Sequence, residues 1–148
     1  MANLSEFGSS LETTREWISE LMETLNTDEA RACRALRVTL HELRDHLTVG
    51  ESADIAAQMP LLLRGVFYEG WRPAGKPVER CSKEEFLEKI GESFKDGPHV
   101  GQVEKMVRDV FTFLHRRVSA GEIRDVVTSL PKGIRSLWPA YSGERCSA

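Results

Sequence analysis

Displaced by 71 positions, the middle of this sequence falls on its own end. Arg37 meets Arg108, Leu43 meets Leu114, Gly50-Glu51 meets Gly121-Glu122, Asp54 meets Asp125, Pro60 meets Pro131 and Arg64 meets Arg135. Apolar character matches as well, with Leu40 on Phe111, Leu47 on Val118, Met59 on Leu130 and Phe67 on Trp138. A displacement of 69 does the same upstream, setting Thr13 on Ser82, Glu16 on Glu85, Trp17 on Phe86, Leu21 on Ile90 and Leu25 on Phe94. The pattern predicts a tandem duplication with a two-residue insertion in the second copy's first loop. A unit of about 60 residues is marginal alone, so the copies are expected to share one core about a pseudo-twofold axis.

The apolar period inside each copy is helical. Trp17, Ile18, Leu21, Met22 and Leu25 recur at steps of three and four, as do Leu36, Leu40, Leu43 and Leu47, and Val100, Val103, Val107, Val110, Leu114 and Val118. No stretch alternates polar and apolar with the β-branched richness of a strand. Capping boxes mark helix starts at Thr13/Glu16, Thr48/Glu51, Ser82/Glu85 and Ser119/Glu122, because the hydroxyl and the carboxylate each satisfy one orphan amide. Gly97-Pro98 supplies another start, and Thr27 a further cap. Pro60 and Pro131 each remove a backbone donor and break the third helical stretch of their copy, opening a short helix beyond. The expectation is an all-α protein of two tandem pseudo-symmetric repeats with three to four helices each. They occupy 11–71 and 82–141, with a flexible N-terminus over 1–10, a linker over 72–81 that includes Arg72-Pro73-Ala74-Gly75-Lys76-Pro77, and a flexible tail over 142–148.

Composition excludes several classes. At 148 residues, 41% hydrophobic and 29% charged, the chain is long enough for one good core without disulfides or a structural metal. No run approaches the roughly 18 apolar residues of a membrane span. The first residues lack a secretory pattern, and three cysteines without paired spacing suit a reducing compartment, so a cytoplasmic location is expected.

The run Gln58-Met59-Pro60-Leu61-Leu62-Leu63-Arg64-Gly65-Val66-Phe67-Tyr68-Glu69-Gly70-Trp71-Arg72-Pro73, with Leu43-Arg44-Asp45-His46-Leu47 upstream, resembles a bacterial family of unknown function, number twenty-two sixty-seven in the usual series. Leu130-Pro131-Lys132-Gly133-Ile134-Arg135-Ser136-Leu137-Trp138-Pro139 looks like its second signature, and the likeness covers nearly all of 13–141. The resemblance implies an all-helical bacterial protein without an assigned activity, and it brings no functional residues with it.

The richest candidate site is Arg64, Tyr68, Trp71 and Arg72. Arg64 and Tyr68 share a helix face, and Trp71 and Arg72 follow at its end, so two guanidinium groups and two aromatic surfaces can converge on an anion. The competing reading is scaffolding, with Arg64 tied to helix-end carbonyls or to Asp54 while the aromatics anchor the linker. The echo of Arg64 in Arg135 favours scaffolding; the lack of like-for-like partners for Tyr68, Gly70 and Trp71 favours a site in one copy.

Other constellations are weaker. His41 and His46 are five apart and point about 140° from each other, which defeats a zinc-hydrolase helix. Cys33 lies near the apolar stripe and is expected to be buried; Cys81 precedes a cap with Glu84 and Glu85 nearby; Cys146 sits in the tail. A helix-turn-helix reading around Gly50 or Gly121 meets Glu51, Asp54, Glu122 and Asp125 where phosphate would lie. The formal net charge of -3 agrees, although the 64–83 segment carries five positive against two negative side chains. Phosphate loops and nucleophile elbows are absent. The reading is a non-catalytic interaction or small-anion-binding module with no cofactor or metal. It takes an unknown protein partner or a small anionic ligand and has the capacity to form a homodimer; nucleic acid, through the basic segment, is the alternative and an enzyme is less favoured.

Overall fold

The computed structural model describes residues 3–78 and 81–139. Among them are eight helices and no strand: α1 (Leu4–Leu25), α2 (Glu29–Arg44), α3 (Val49–Ala56), α4 (Leu61–Tyr68), α5 (Lys83–Gly91), α6 (Val100–Arg117), α7 (Ala120–Ser129) and α8 (Lys132–Arg135).

Local chemistry sets most of these boundaries. Ser82 and Glu85 form a complete capping box at α5, and the Thr48 and Ser119 side chains accept the amides of Glu51 and Glu122. Pro60 and Pro131 stand as N-caps of α4 and α8, so each proline ends one helix and opens the next. Three starts differ from expectation. Asn3 with Glu6 builds the capping box of α1, so the helix runs through Thr13, whose hydroxyl donates to the Ser9 carbonyl at 3.1 Å; the stretch expected to be flexible is helical from Leu4. Asp28 rather than Thr27 caps α2, accepting the Arg31 amide at 2.9 Å, because Asn26 in the left-handed conformation (φ 54°) first closes α1. His99 rather than Pro98 precedes α6. Gly50 and Gly121 lie inside the first turns of α3 and α7, not in the turns before them.

The helices pack around one core. α1 lies against α2, α4 and α6, while α5 lies against α2, α6 and α8; α2 and α6 touch each other, and so do α3 and α7. Leu36, Leu40 and Leu43 of α2 and Val107, Val110, Phe111 and Leu114 of α6 are buried in the same cluster. Trp138 stacks on Phe111 with ring centroids 4.1 Å apart and planes 9° apart. Each fully buried large side chain stabilises the fold by roughly 1.5–3 kcal/mol relative to exposure. Cys33 is exposed, contrary to expectation, because the buried face of α2 passes through Ala32, Ala35 and Leu36. Cys146 lies outside the described residues. No described helix is long and apolar enough to cross a membrane.

Candidate functional site

The Arg64 guanidinium is engaged at the end of α3. Its Nε donates to the Ala56 carbonyl at 3.2 Å and its Nη2 to the Met59 carbonyl at 3.1 Å, satisfying acceptors that a helix terminus leaves open. Arg135 repeats this, donating through Nη2 to the carbonyls of Thr128 at 3.2 Å and Leu130 at 3.1 Å. Tyr68 and Trp71 are brought together, with ring centroids 5.3 Å apart, and Tyr68 meets Phe67 edge-on. Arg72 is exposed at the start of the segment that follows. Arg64 therefore serves a helix junction, while Tyr68 and Trp71 pack where α4 meets the linker.

Sequence reasoning missed a second set of cations on α2. Arg44, nearly buried, donates to the carbonyls of Phe67 at 2.5 Å and Glu69 at 2.8 Å. His41 Nε2 lies 2.7 Å from the Val66 carbonyl, and Arg37 pairs with the Glu69 carboxylate. Arg44 and Arg37 bring positive charge to the C-terminal end of α4, and His41 adds a hydrogen bond to it. Burial, first, and the neighbouring Arg44 and Arg37 push His41 below the ordinary histidine range, against the opposing pull of the Val66 bond and Asp45. The spacing of 37, 41 and 44 along one helix face was the available signal.

α3 and α7 meet through their acids. Carboxylate oxygens of Glu51, Asp54 and Glu122 all lie within 4.8 Å of one another. Burial, followed by the charges of Glu51, Asp54 and Asp125, pushes Glu122 up to about 7, and Glu51 rises for the same kinds of reason. Such oxygens are close enough for a hard divalent cation or for a shared proton, and the Thr48 and Ser119 caps account for their position without a ligand.

A half-open cavity of about 400 Å³ lies between the α1–α2 turn and α6. Leu25, Ala35, Phe94, Val103 and Met106 supply apolar lining. At its rim the Arg31 guanidinium sits 5.0 Å over the Phe94 ring and 3.1 Å from Asp96. Lys105, largely exposed, reaches Asp109 at 2.8 Å. Arg31 and Phe94 are far apart in sequence, so no local motif announces their meeting.

Among proteins of curated function, none matches this sequence. A family model described as "Uncharacterized conserved protein (DUF2267)" matches residues 14–137. That span runs from the middle of α1 to the turn after α8, and the chain belongs to this family.

Proposed function

We propose that this chain is a non-catalytic helical binding module of the bacterial cytoplasm that accepts a small amphipathic anion in the cavity between the α1–α2 turn and α6. The observation that carries this reading is the apolar lining of a half-open cavity edged by two exchangeable surface ion pairs, Arg31 with Asp96 and Lys105 with Asp109, whose cations an anionic head can take over. An apolar pocket with a few polar groups at its edge holds the tail of a ligand by burial and its head by charge-assisted bonds. Arg64 is assigned to scaffolding because its guanidinium already answers two carbonyls, and Tyr68 and Trp71 to anchoring the linker through their ring contact; Arg72, exposed, is given no role.

The test uses 1-anilinonaphthalene-8-sulfonate, a fluorescent amphipathic anion. Saturable one-site enhancement, reversed by octanoate, is expected. Arg31→Glu should weaken it about tenfold, the scale of one charge-assisted bond, and Met106→Trp should abolish it by filling the space. Enhancement unchanged in both variants would reject the cavity as the seat.

A second reading, self-association through a copy of the same chain, is favoured by Leu4, Phe7 and Leu11. They stand exposed on one face of α1, with Leu61 and Leu62 exposed on α4, which packs against it. A patch without charge is its own complement in a twofold contact. Light scattering across a wide concentration range separates the two readings.

The duplication belongs to the same proposal. It is supported by the shared carbonyl contacts of Arg64 and Arg135, by the two proline-capped helices, and by helix pairings that are largely preserved when the halves are exchanged. On this reading the acids of α3 and α7 are one feature meeting itself across the axis.

A further inference from the structure

The apolar stripe of α1 begins well before the helix reaches the core. Leu4, Phe7 and Leu11 continue, at steps of three and four through Thr14, the line that Ile18 and Leu21 carry into the interior, which is the spacing of a helix–helix seam. Ile18 and Leu21 are buried, whereas Leu4 is 83% exposed, Phe7 48% and Leu11 42%. Beside this face α4 starts with Leu61 and Leu62, 44% and 45% exposed, and the Leu62 amide donates to the Ser10 hydroxyl oxygen at 3.1 Å. The fold does not call for these side chains. A displacement of 71 carries Leu61 and Leu62 onto Lys132 and Gly133, with which α8 starts, and one of 69 carries Leu4, Phe7 and Leu11 onto Pro73, Lys76 and Arg80. No leucine or phenylalanine stands at any of the five later positions.

The charges around the stripe select its partner. Glu6 precedes Phe7 and Glu12 follows Leu11, so each points about 100° away from its stripe neighbour at 3.6 residues per turn. Between them the flanks are Gly8 and Ser10, and nothing of like charge opposes a second stripe of the same kind. We infer that the first turns of α1 pair with the same turns of a second copy, antiparallel across a twofold axis near Phe7, with each Leu4 settling on Leu61 and Leu62 of the other copy. This rests on the self-association reading given above and specifies its geometry. With Phe7 opposite itself, Leu4 comes level with Ser10 of the other copy, to which Leu62 is tied, while Arg15 falls beyond the overlap. The same arrangement sets the positive start of each helix level with Glu12 of the other, the favourable placing of a carboxylate. Five side chains per copy fall short of the roughly 20–30 residues per side of a standard interface, so the dimer is a weak, reversible one.

Sedimentation velocity on the full chain, from micromolar to millimolar concentration, tests the inference. The native chain is expected to shift from monomer to dimer across that range. Leu4→Glu alone and Leu62→Lys alone should each lose the dimer, and as both positions are exposed their circular-dichroism melts should match that of the native chain. Mixed in equal amounts, the two variants should dimerise again, because the new carboxylate then meets the new ammonium. Where Leu62→Lys melts early, Leu61→Lys takes its place in the same mixture. A native chain monomeric throughout would overturn both this inference and the self-association reading, and leave the face to a different protein. A native dimer that survives Leu4→Glu, or variants that stay monomeric when mixed, would overturn the antiparallel pairing while self-association stands.

Discussion

Glu122 shows how a side chain's neighbours outweigh its helix. A carboxylate in the first turn of α7 ordinarily gains from the helix dipole, yet partial burial and then three further acids raise its folded pKa from 4.5 to about 7. The folded chain therefore holds this proton more tightly than the unfolded chain. The associated stability is complete below pH 4.5 and disappears as pH rises through about 7. Glu122→Gln should remove this slope, adding about 1 kcal/mol at pH 8, after allowance for solvent screening, and little at pH 4. Denaturant titrations at the two pH values measure it. The sequence placed Glu51, Asp54, Glu122 and Asp125 at helix starts, but their meeting depends on how α3 crosses α7, which no local pattern encodes. Arg64 is the reverse case. Its repetition in Arg135 pointed to a helix-end role from sequence alone, and the carbonyl contacts agree.

Elements were legible where side-chain chemistry fixes an end. Pro60, Pro131, Ser82 and Ser119 mark their boundaries because each changes which backbone amides remain unsatisfied. The start of α1 was not legible from Thr13/Glu16, since a threonine inside a helix can return its hydroxyl to the carbonyl four residues back and leave the helix intact. The cavity was hidden for another reason: its walls come from segments distant in the chain. Packing between elements also decides what a glycine is for. At Gly133 a Cβ would lie 2.7 Å from the backbone nitrogen of Lys83 and 3.3 Å from its Cα, so α8 approaches the start of α5 only because that atom is missing. Gly133→Ala should destabilise the protein by about 1–3 kcal/mol. Gly65→Ala, in open space within α4, should stabilise it by about 0.5–1 kcal/mol. Urea midpoints of the two variants give the comparison.

For the molecule as a whole, the decisive feature is that helices distant in the chain brace one another: α1 rests on α6, and α5 on α2. A fragment ending at Val78 keeps α1 to α4 but loses the surface of α6 against which Leu21, Leu36 and Leu40 share a core. It should show partial helicity and no cooperative thermal transition, and calorimetry beside the full chain checks this. The all-helical class was readable from periodicity because period alone separates helix from strand. Which helix faces which was not readable from the period, because the pairings join helices far apart in the chain.

That cross-bracing also sets a timetable for synthesis. A nascent chain that has emerged as far as α4 still lacks the surfaces on which α1 and α2 settle. At about 5–20 residues per second, α6 follows several seconds later. Until then its greasy flanks stay open to whatever chaperone waits at the ribosome, and the polypeptide gains its native form late and all together rather than in instalments.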